Sequence, residues 1–213
     1  MVTWPGDWGQ RLRARLAPQP EHDRSRWHMG GTLAAPTPAM WASLVAEPRP
    51  AAVLVPLIDR QAGPTVLLTV RAPELRQHAG QISFPGGSLE AADADPLATA
   101  LRETQEEIGV AAHFVEPLGF LPDHLVLTGF RITPVVAVLR SGFELRIASE
   151  EVAAVFEMPL AHLLDEANYR LVSRRLRGVE VQARDLQYGE HNIWGATAGM
   201  LLTLREQLRA TLA

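Results

Sequence analysis

Residues 84–110 read FPGGSLEAADADPLATALRETQEEIGV, and this stretch decides the fold that we expect of the chain. At about 100° per residue, its apolar positions fall in one stripe of a helix over 96–108. That stripe consists of Leu97, Leu101, Thr104 and Ile108. Gly109 follows directly, at the position where a left-handed residue commonly ends a helix. The spacing therefore predicts a core-packed helix that follows a loop rich in glycine and proline.

The same helix carries three carboxylates on a second face: Glu103, Glu106 and Glu107. Side chains at i, i+3 and i+4 are neighbours, so these charges repel one another unless a cation lies between them. A solvated acidic helix face is the common alternative. The preceding Pro85, Gly86 and Gly87 favour a ligand site, because glycine lets backbone approach a ligand closely. Carboxylate oxygens are the ligands that Mg²⁺ and Mn²⁺ prefer.

Composition excludes several other classes of protein. The formal net charge of -4 disfavours a general nucleic-acid binder, whose affinity comes from clustered cations. All 20 basic residues are Arg, so a P-loop lysine is excluded and any phosphate held by a side-chain cation is held by guanidinium. The absence of cysteine removes disulfides, thiolate nucleophiles and Cys-ligated zinc. A small anionic ligand remains compatible with this composition.

Neither a signal peptide nor a membrane span is expected. Residues 1–18 lack the apolar stretch of a signal peptide, and no run approaches the roughly 18 apolar residues that cross a bilayer. We therefore expect a cytoplasmic protein that contacts no membrane.

The first fifty residues are interrupted by prolines, and we interpret 1–50 as an N-terminal extension of one domain over 51–213. Within the extension, 7–16 and 38–46 have helical spacing, for which surface packing is the ordinary interpretation. The interface of a homodimer and a lid over the pocket are two further roles compatible with this extension.

The rest of the chain predicts strands and helices in irregular alternation. Two antiparallel strands are predicted at 51–58 and 65–70, separated by the turn sequence DRQAGP. Further strands are predicted at 115–121, 132–139 and 152–158, and helices at 161–167 and 197–212. This order predicts an α+β fold in which helices cover a mixed sheet.

At this point the sequence resembles a known family. The stretch from Arg102 to Val110 is similar to the second half of the Nudix box, G-x5-E-x7-R-E-U-x-E-E-x-G-U with U aliphatic, taking Thr104 at the first U. The first half differs, since Asp93 replaces Glu, and eight residues rather than seven separate it from Arg102. The contact between this acid and Arg102 therefore depends on how the loop accommodates the extra residue.

A second resemblance lies immediately upstream. Residues 67–87, LLTVRAPELRQHAGQISFPGG, match all eleven specified positions of L-L-T-x-R-[SA]-x3-R-x3-G-x3-F-P-G-G, which is typical of the coenzyme A branch of that family. The resemblance implies a Nudix fold, an α/β/α sandwich with a mixed central β-sheet. It implies hydrolysis of coenzyme A or acyl-CoA to 3',5'-ADP and the corresponding 4'-phosphopantetheine.

The resemblance also implies roles for individual residues. The three box glutamates, Glu103, Glu106 and Glu107, become ligands of Mg²⁺ or Mn²⁺, and the carbonyl of Gly86 becomes a further ligand. The general base varies within the family, and Glu150 and Glu151 are our candidates for it; an exposed acidic pair is the alternative.

Substrate phosphates are assigned to the segment around the glycine loop. Arg71 and Arg76 flank this loop, and guanidinium offers paired donors that match phosphate oxygens. At least one of the two is expected to bind phosphate, with a structural role as the alternative for the other. His78 is a further candidate, with a hydrogen-bonded structural role as its alternative, and Gly86 and Gly87 let the backbone approach the substrate.

Two other functions remain open at this stage. The first is hydrolysis of another diphosphate, such as ADP-ribose, NADH or a nucleoside triphosphate. The second is a Nudix-fold binding module without catalysis, since a fold does not fix a function. The intact RETQEE sequence speaks against the second, because a module can lose these carboxylates without penalty.

Overall fold

A computed structural model describes residues 2–22, 28–29, 32–33, 46–75, 78–126, 128–176 and 179–212. In these ranges the strands are β1 His28–Met29, β2 Thr32–Leu33, β3 Arg49–Ile58, β4 Thr65–Arg71, β5 Ile82–Ser83, β6 Gly86–Ser88, β7 Val115–Phe120, β8 His124–Leu125, β9 Phe130–Leu139, β10 Val152–Pro159, β11 Tyr169–Leu176, β12 Val179–Tyr188 and β13 His191–Ile193. The helices are α1 Trp8–Arg13, α2 Pro96–Ile108, α3 Leu160–Leu164 and α4 Gly195–Leu212.

The larger sheet is mixed, as the sequence predicts. Its strand order is β1-β8-β9-β3-β4-β10, with β5, β6 and β7 pairing with β4, β3 and β9 respectively. At its centre β3 and β9 run parallel, in register from Arg49 opposite Phe130 to Ile58 opposite Leu139. The predicted antiparallel pair is confirmed, because β3 and β4 meet at Leu57 opposite Val66. A smaller antiparallel sheet contains β11, β12 and β13, and β2 pairs with β12.

The two faces of β3 pack against different helices. Val53, Val55 and Leu57 pack in one core cluster with residues of α1 and α4. Ala52, Leu54 and Ile58 point to the opposite face and pack in a second cluster with Ala100 and Ile108 of α2. Because successive strand side chains alternate between faces, one strand serves both cores. The α/β/α sandwich is therefore confirmed.

The described part of the N-terminal extension packs on the same core. The helix predicted over 7–16 is observed as α1, and Trp8, Leu12 and Leu16 are buried in the first cluster rather than lying on the surface. Ala17 and Phe120 exchange two backbone hydrogen bonds, of 3.1 and 2.9 Å. Apart from Ala46, the helix predicted over 38–46 lies outside the described residues. The boundary between residues 50 and 51 stays a prediction.

The helices predicted near the C-terminus are also present. The prediction over 161–167 corresponds to α3 followed by a short 3-10 turn at Glu166–Asn168, and 197–212 corresponds to α4. Among the described residues, no helix combines the length and the apolar character that crossing a bilayer requires.

The burial of α1 predicts that Leu12→Ala destabilises the whole domain. Leu12 is completely buried, and removing such a side chain from a core costs about 2 to 5 kcal/mol. Arg11→Ala on the exposed side of the same helix is the control, with an expected change of about 0.5 kcal/mol or less. Urea titrations followed by circular dichroism measure both, and equal midpoints for the two variants would show that α1 does not belong to the core.

Candidate active site

The helix α2 begins and ends as its sequence predicts. The Asp95 carboxylate accepts a hydrogen bond from the Ala98 N–H at 2.8 Å and caps the N-terminus, and Pro96 occupies the first turn. Gly109 ends the helix at a φ of 75°, in the left-handed region. The predicted apolar stripe is only partly correct. Ala100, Thr104 and Ile108 are buried, whereas Leu97 and Leu101 pack partly exposed at the rim.

The backbone of β6 passes directly beneath the carboxylates of α2. A Cβ added to Gly87 would lie 2.3 Å from Glu103 Oε1, and one added to Gly86 would lie 2.4 Å from the Ala52 carbonyl oxygen. Gly86 also has a φ of +155°, which side chains with a Cβ rarely adopt. Both glycines are therefore required for the strand to fit between β3 and the acidic face of α2.

Glu107 is the most buried of the three helix carboxylates, with 3% of its surface exposed. The Gly86 N–H donates to its Oε2 at 3.3 Å. Burial raises the pKa of Glu107 to about 8, and the charges of Glu103 and Glu151 raise it as well, while the Gly86 hydrogen bond and the charge of Arg71 oppose them. A carboxylate held in this way gains from a nearby cation.

Glu103 and Glu106 are held by Arg102. Arg102 Nη1 donates to Glu103 Oε1 and to Glu106 Oε2, each at 2.9 Å. Burial raises the pKa of Glu103, although its bond to Arg102 lowers it. The Glu106 side chain is 58% exposed. The two carboxylates therefore share one nitrogen of an internal cation.

Asp93 contacts Arg102 despite its shorter side chain and the extra residue in the loop. Arg102 Nε donates to Asp93 Oδ1 at 3.1 Å, and Nη2 donates to Oδ2 at 3.0 Å. The Thr99 hydroxyl and the Glu90 N–H also donate to Oδ2. The hydrogen bond from Arg102 holds the pKa of Asp93 well below its ordinary value. The sequence analysis did not identify Thr99 as part of this cluster, although its position one helical turn before Arg102 could have indicated it.

Glu151, which with Glu150 forms the pair of base candidates, acts electrostatically on the carboxylates of α2. The charge of Glu151 raises the pKa of Glu103 and of Glu107. Glu150 and Glu151 are both exposed. The preceding loop is fixed to α2, because the Ala148 N–H donates to the Glu107 carbonyl at 2.9 Å. The Ala72 N–H in turn donates to the Glu151 carbonyl at 2.9 Å, which ties this loop to the end of β4.

Arg71, the last residue of β4, is the predicted phosphate ligand whose charge acts on Glu107. Its charge lowers the pKa of Glu107. Its Nε is buried and has no hydrogen-bond partner, which leaves a donor available for a ligand. Arg76, the second predicted phosphate ligand, lies outside the described residues. His78 is exposed at a φ of 60° and bonds Gln81 Oε1 through Nδ1 at 2.8 Å, so its role in substrate binding stays a prediction.

The donor set suits a hard divalent cation, but its side chains are not arranged for one as they stand. Among the described residues, no three His, Cys, Asp or Glu side chains are placed to hold a metal ion together. Glu103 and Glu106 are instead bonded to Arg102. The donors still fit in kind, because carboxylate oxygens suit Mg²⁺ or Mn²⁺ and a cation would relieve the buried charge of Glu107. A cavity of about 380 Å³ lies beside Arg102, Gln105 and Glu106.

The chain is similar to known proteins over most of its length. A family model described as the NUDIX domain matches residues 48–176. A Klebsiella pneumoniae (strain 342) protein named Uncharacterized Nudix hydrolase NudL is 43% identical over 162 residues, which cover 76% of this chain and 84% of the relative. The protein of that name from Salmonella paratyphi B is 42% identical over 160 residues, which cover 75% and 83%.

One solved structure supports the fold alone. The MutT/nudix family protein from Enterococcus faecalis superposes with a TM-score of 0.50 at 17% sequence identity, covering 77% of this chain and 63% of that one.

The raised pKa of Glu107 predicts that stability falls as the pH rises. The Glu107 carboxyl has a pKa of 4.5 in the unfolded chain and of about 8 in the folded chain. The folded state therefore binds more protons between these values, and unfolding becomes easier by up to about 1.4 kcal/mol per pH unit. Glu107→Gln carries no charge, so we expect it to lack this decline and to exceed the unmodified protein in stability near pH 8.

Urea titrations without divalent metal, near pH 5 and near pH 8, measure the effect. Glu150→Gln is the matched control, because it makes the same chemical change at an exposed position of the same region. A Glu107→Gln variant that is no more stable than the control near pH 8 would contradict the burial of a charged Glu107.

Proposed function

Because this chain belongs to the Nudix hydrolase family, we propose that it hydrolyses the diphosphate bond of coenzyme A or of an acyl-CoA. Nudix hydrolases act on the pyrophosphate bond of nucleoside diphosphate derivatives, so the proposal concerns the particular substrate. Water supplies an oxygen to one phosphorus, and the bond from that phosphorus to the bridging oxygen breaks. The products are 3',5'-ADP and 4'-phosphopantetheine, or its acylated form.

The observation that carries this proposal is the segment over 67–87, which matches the pattern of the coenzyme A branch at every specified position. In the fold this segment runs from β4 through β5 to β6. Arg71 at one end influences Glu107 electrostatically, and Gly86 at the other end donates a hydrogen bond to it. Both ends of the pattern thus act on the carboxylates of α2, which supports a role in binding the diphosphate.

Nudix hydrolases generally use a divalent metal such as Mg²⁺ or Mn²⁺. We assign its binding to Glu103, Glu106 and Glu107, with the carbonyl oxygen of Gly86 as a further ligand. When bound, the ion neutralises the diphosphate and stabilises charge on the leaving oxygen. The glycine backbone lets the strand pass close beside the Glu103 carboxylate, which holds that carboxylate at the site.

Arg71 and Arg76 are assigned to the substrate phosphates, including the 3'-phosphate that distinguishes coenzyme A. The unpartnered Nε of Arg71 supports this assignment for the first of the two. Guanidinium donates two parallel hydrogen bonds to phosphate, which orients the diphosphate as well as binding it. His78 remains a proposed neighbour of the same phosphates.

Glu151 is the residue that we assign as general base. It lies close enough to Glu103 and Glu107 to raise the pKa of both, and its loop is tied to α2 and to β4 by backbone hydrogen bonds. From this position its carboxylate accepts the proton that the attacking water releases.

The substrate is tested by incubating the protein with coenzyme A and either Mg²⁺ or Mn²⁺ and separating the products. We expect equal amounts of 3',5'-ADP and 4'-phosphopantetheine, and no turnover by Glu107→Gln, because that variant loses a metal ligand without losing the buried volume. ADP-ribose, NADH and nucleoside triphosphates form the comparison panel. Hydrolysis of one of these but not of coenzyme A would assign another substrate, and binding of coenzyme A without hydrolysis would indicate a binding module.

The base is tested by a matched pair of neighbouring variants. Glu151→Gln is expected to lower kcat by about 10² to 10⁴ with little change in KM, because general-base catalysis contributes a factor of that order. Glu150→Gln is expected to leave both constants within about twofold, as a surface substitution away from the chemistry does. Steady-state kinetics measure the two, and a larger effect at Glu150 would reverse the assignment.

A further inference from the structure

Every nitrogen of the Arg102 guanidinium group donates a hydrogen bond, and the acceptors form two separate sets. Nε and Nη2 donate to Asp93, and Nη2 also donates to the Ser88 carbonyl at 3.2 Å. Nη1 is directed the other way, to Glu103 and Glu106. The second set consists of carboxylates that the proposed function needs as metal ligands.

We propose that Arg102 is the internal counter-ion of the metal site, and that its Nη1 competes with the divalent ion for Glu103 and Glu106. Asp93 anchors the guanidinium, so that Arg102 stays in place when the two glutamates turn to the metal. This inference rests on the proposed function, because it takes those glutamates as metal ligands.

The two sides of Arg102 differ in how firmly they are held. The Asp93 side chain is 6% exposed, binds two nitrogens of Arg102, and receives further hydrogen bonds from Thr99 and from the Glu90 backbone. Paired hydrogen bonds of this kind are the strong form of a charged contact. Glu106 is 58% exposed and Glu103 is 15% exposed, and the two share the single nitrogen Nη1. The carboxylates bonded to Nη1 are therefore the first to be released.

Asp93 also determines how much positive charge the metal ion meets. While the pair is intact, the carboxylate of Asp93 offsets the guanidinium charge, and an approaching divalent ion meets little repulsion from Arg102. Without the Asp93 charge, Arg102 binds the two glutamates more strongly and also repels the metal, since both effects are Coulombic at short range. Asp93 is thus a positioning residue that acts through Arg102.

The test is the affinity of the full-length protein for Mn²⁺ without substrate, measured by electron paramagnetic resonance titration. Asp93→Asn is expected to weaken binding by about tenfold, because it strengthens the competitor. The double variant Asp93→Asn/Arg102→Gln removes the competitor without changing net charge, and it is expected to bind about tenfold more tightly than the unmodified protein. Glu206→Gln is the control, with no expected change in affinity, since that carboxylate is exposed on α4, which packs on the opposite face of the sheet.

The outcomes separate this inference from the proposed function. If the unmodified protein binds no Mn²⁺, the metal-dependent function fails and the competition fails with it. If the unmodified protein binds Mn²⁺ and the folded double variant binds equally or more weakly, competition by Arg102 is overturned and the function stands. That second result would mean that Arg102 only orients the glutamates.

A measurement on the unmodified protein covers the case in which the double variant does not fold. In a nuclear magnetic resonance titration with Mg²⁺, the carboxyl carbons of Glu103 and Glu106 are expected to shift. The Arg102 Nε–H signal is expected to stay in place, because its bond to Asp93 persists. Carboxyl signals that do not move, or a displaced Nε–H signal, would overturn the proposal.

Discussion

The arrangement of the site depends on the close approach of backbone to side chain between β6 and α2. Gly87 lies where a Cβ would overlap the Glu103 carboxylate, and Gly86 lies where one would overlap β3. Since α2 is packed on β3 from the same side, glycine backbone lies against Glu103 and Glu107 but leaves Glu106 exposed. That cover removes Glu107 from water while supplying one N–H to its carboxylate.

Burying negative charge in this way is costly, and the protein offsets part of the cost with arginine. Arg102 lies between Asp93 on one side and Glu103 and Glu106 on the other. Arg71 lowers the pKa of Glu107 without fully compensating the burial. The arginines thus offset only part of the cost of burying these carboxylates, and further positive charge would stabilise the ionised form of Glu107. A divalent ion bound to a diphosphate is a source of such charge.

Part of the site is assembled from distant segments by backbone hydrogen bonds. The Ala148 N–H caps the C-terminal end of α2, and the Ala72 N–H holds the Glu151 carbonyl. These bonds bring a loop that follows β9 to the helix that precedes β7. The N-terminal segment contributes to the opposite core, where Leu12 packs with α4. The face of the sheet that packs against α2 and the opposite face thus contain different parts of the chain.

The sequence by itself determined the mixed sheet, the bounds of α2 and the identity of the three box glutamates, because periodicity and capping are local properties of consecutive residues. Only the tertiary structure decided that Glu107 is buried while Glu106 is exposed, and that Asp93 reaches Arg102 across a loop one residue longer than the family pattern. It also placed Trp8 and Leu12 in the core. These outcomes depend on which segments cover each face, and that covering is set by contacts between residues far apart in the chain.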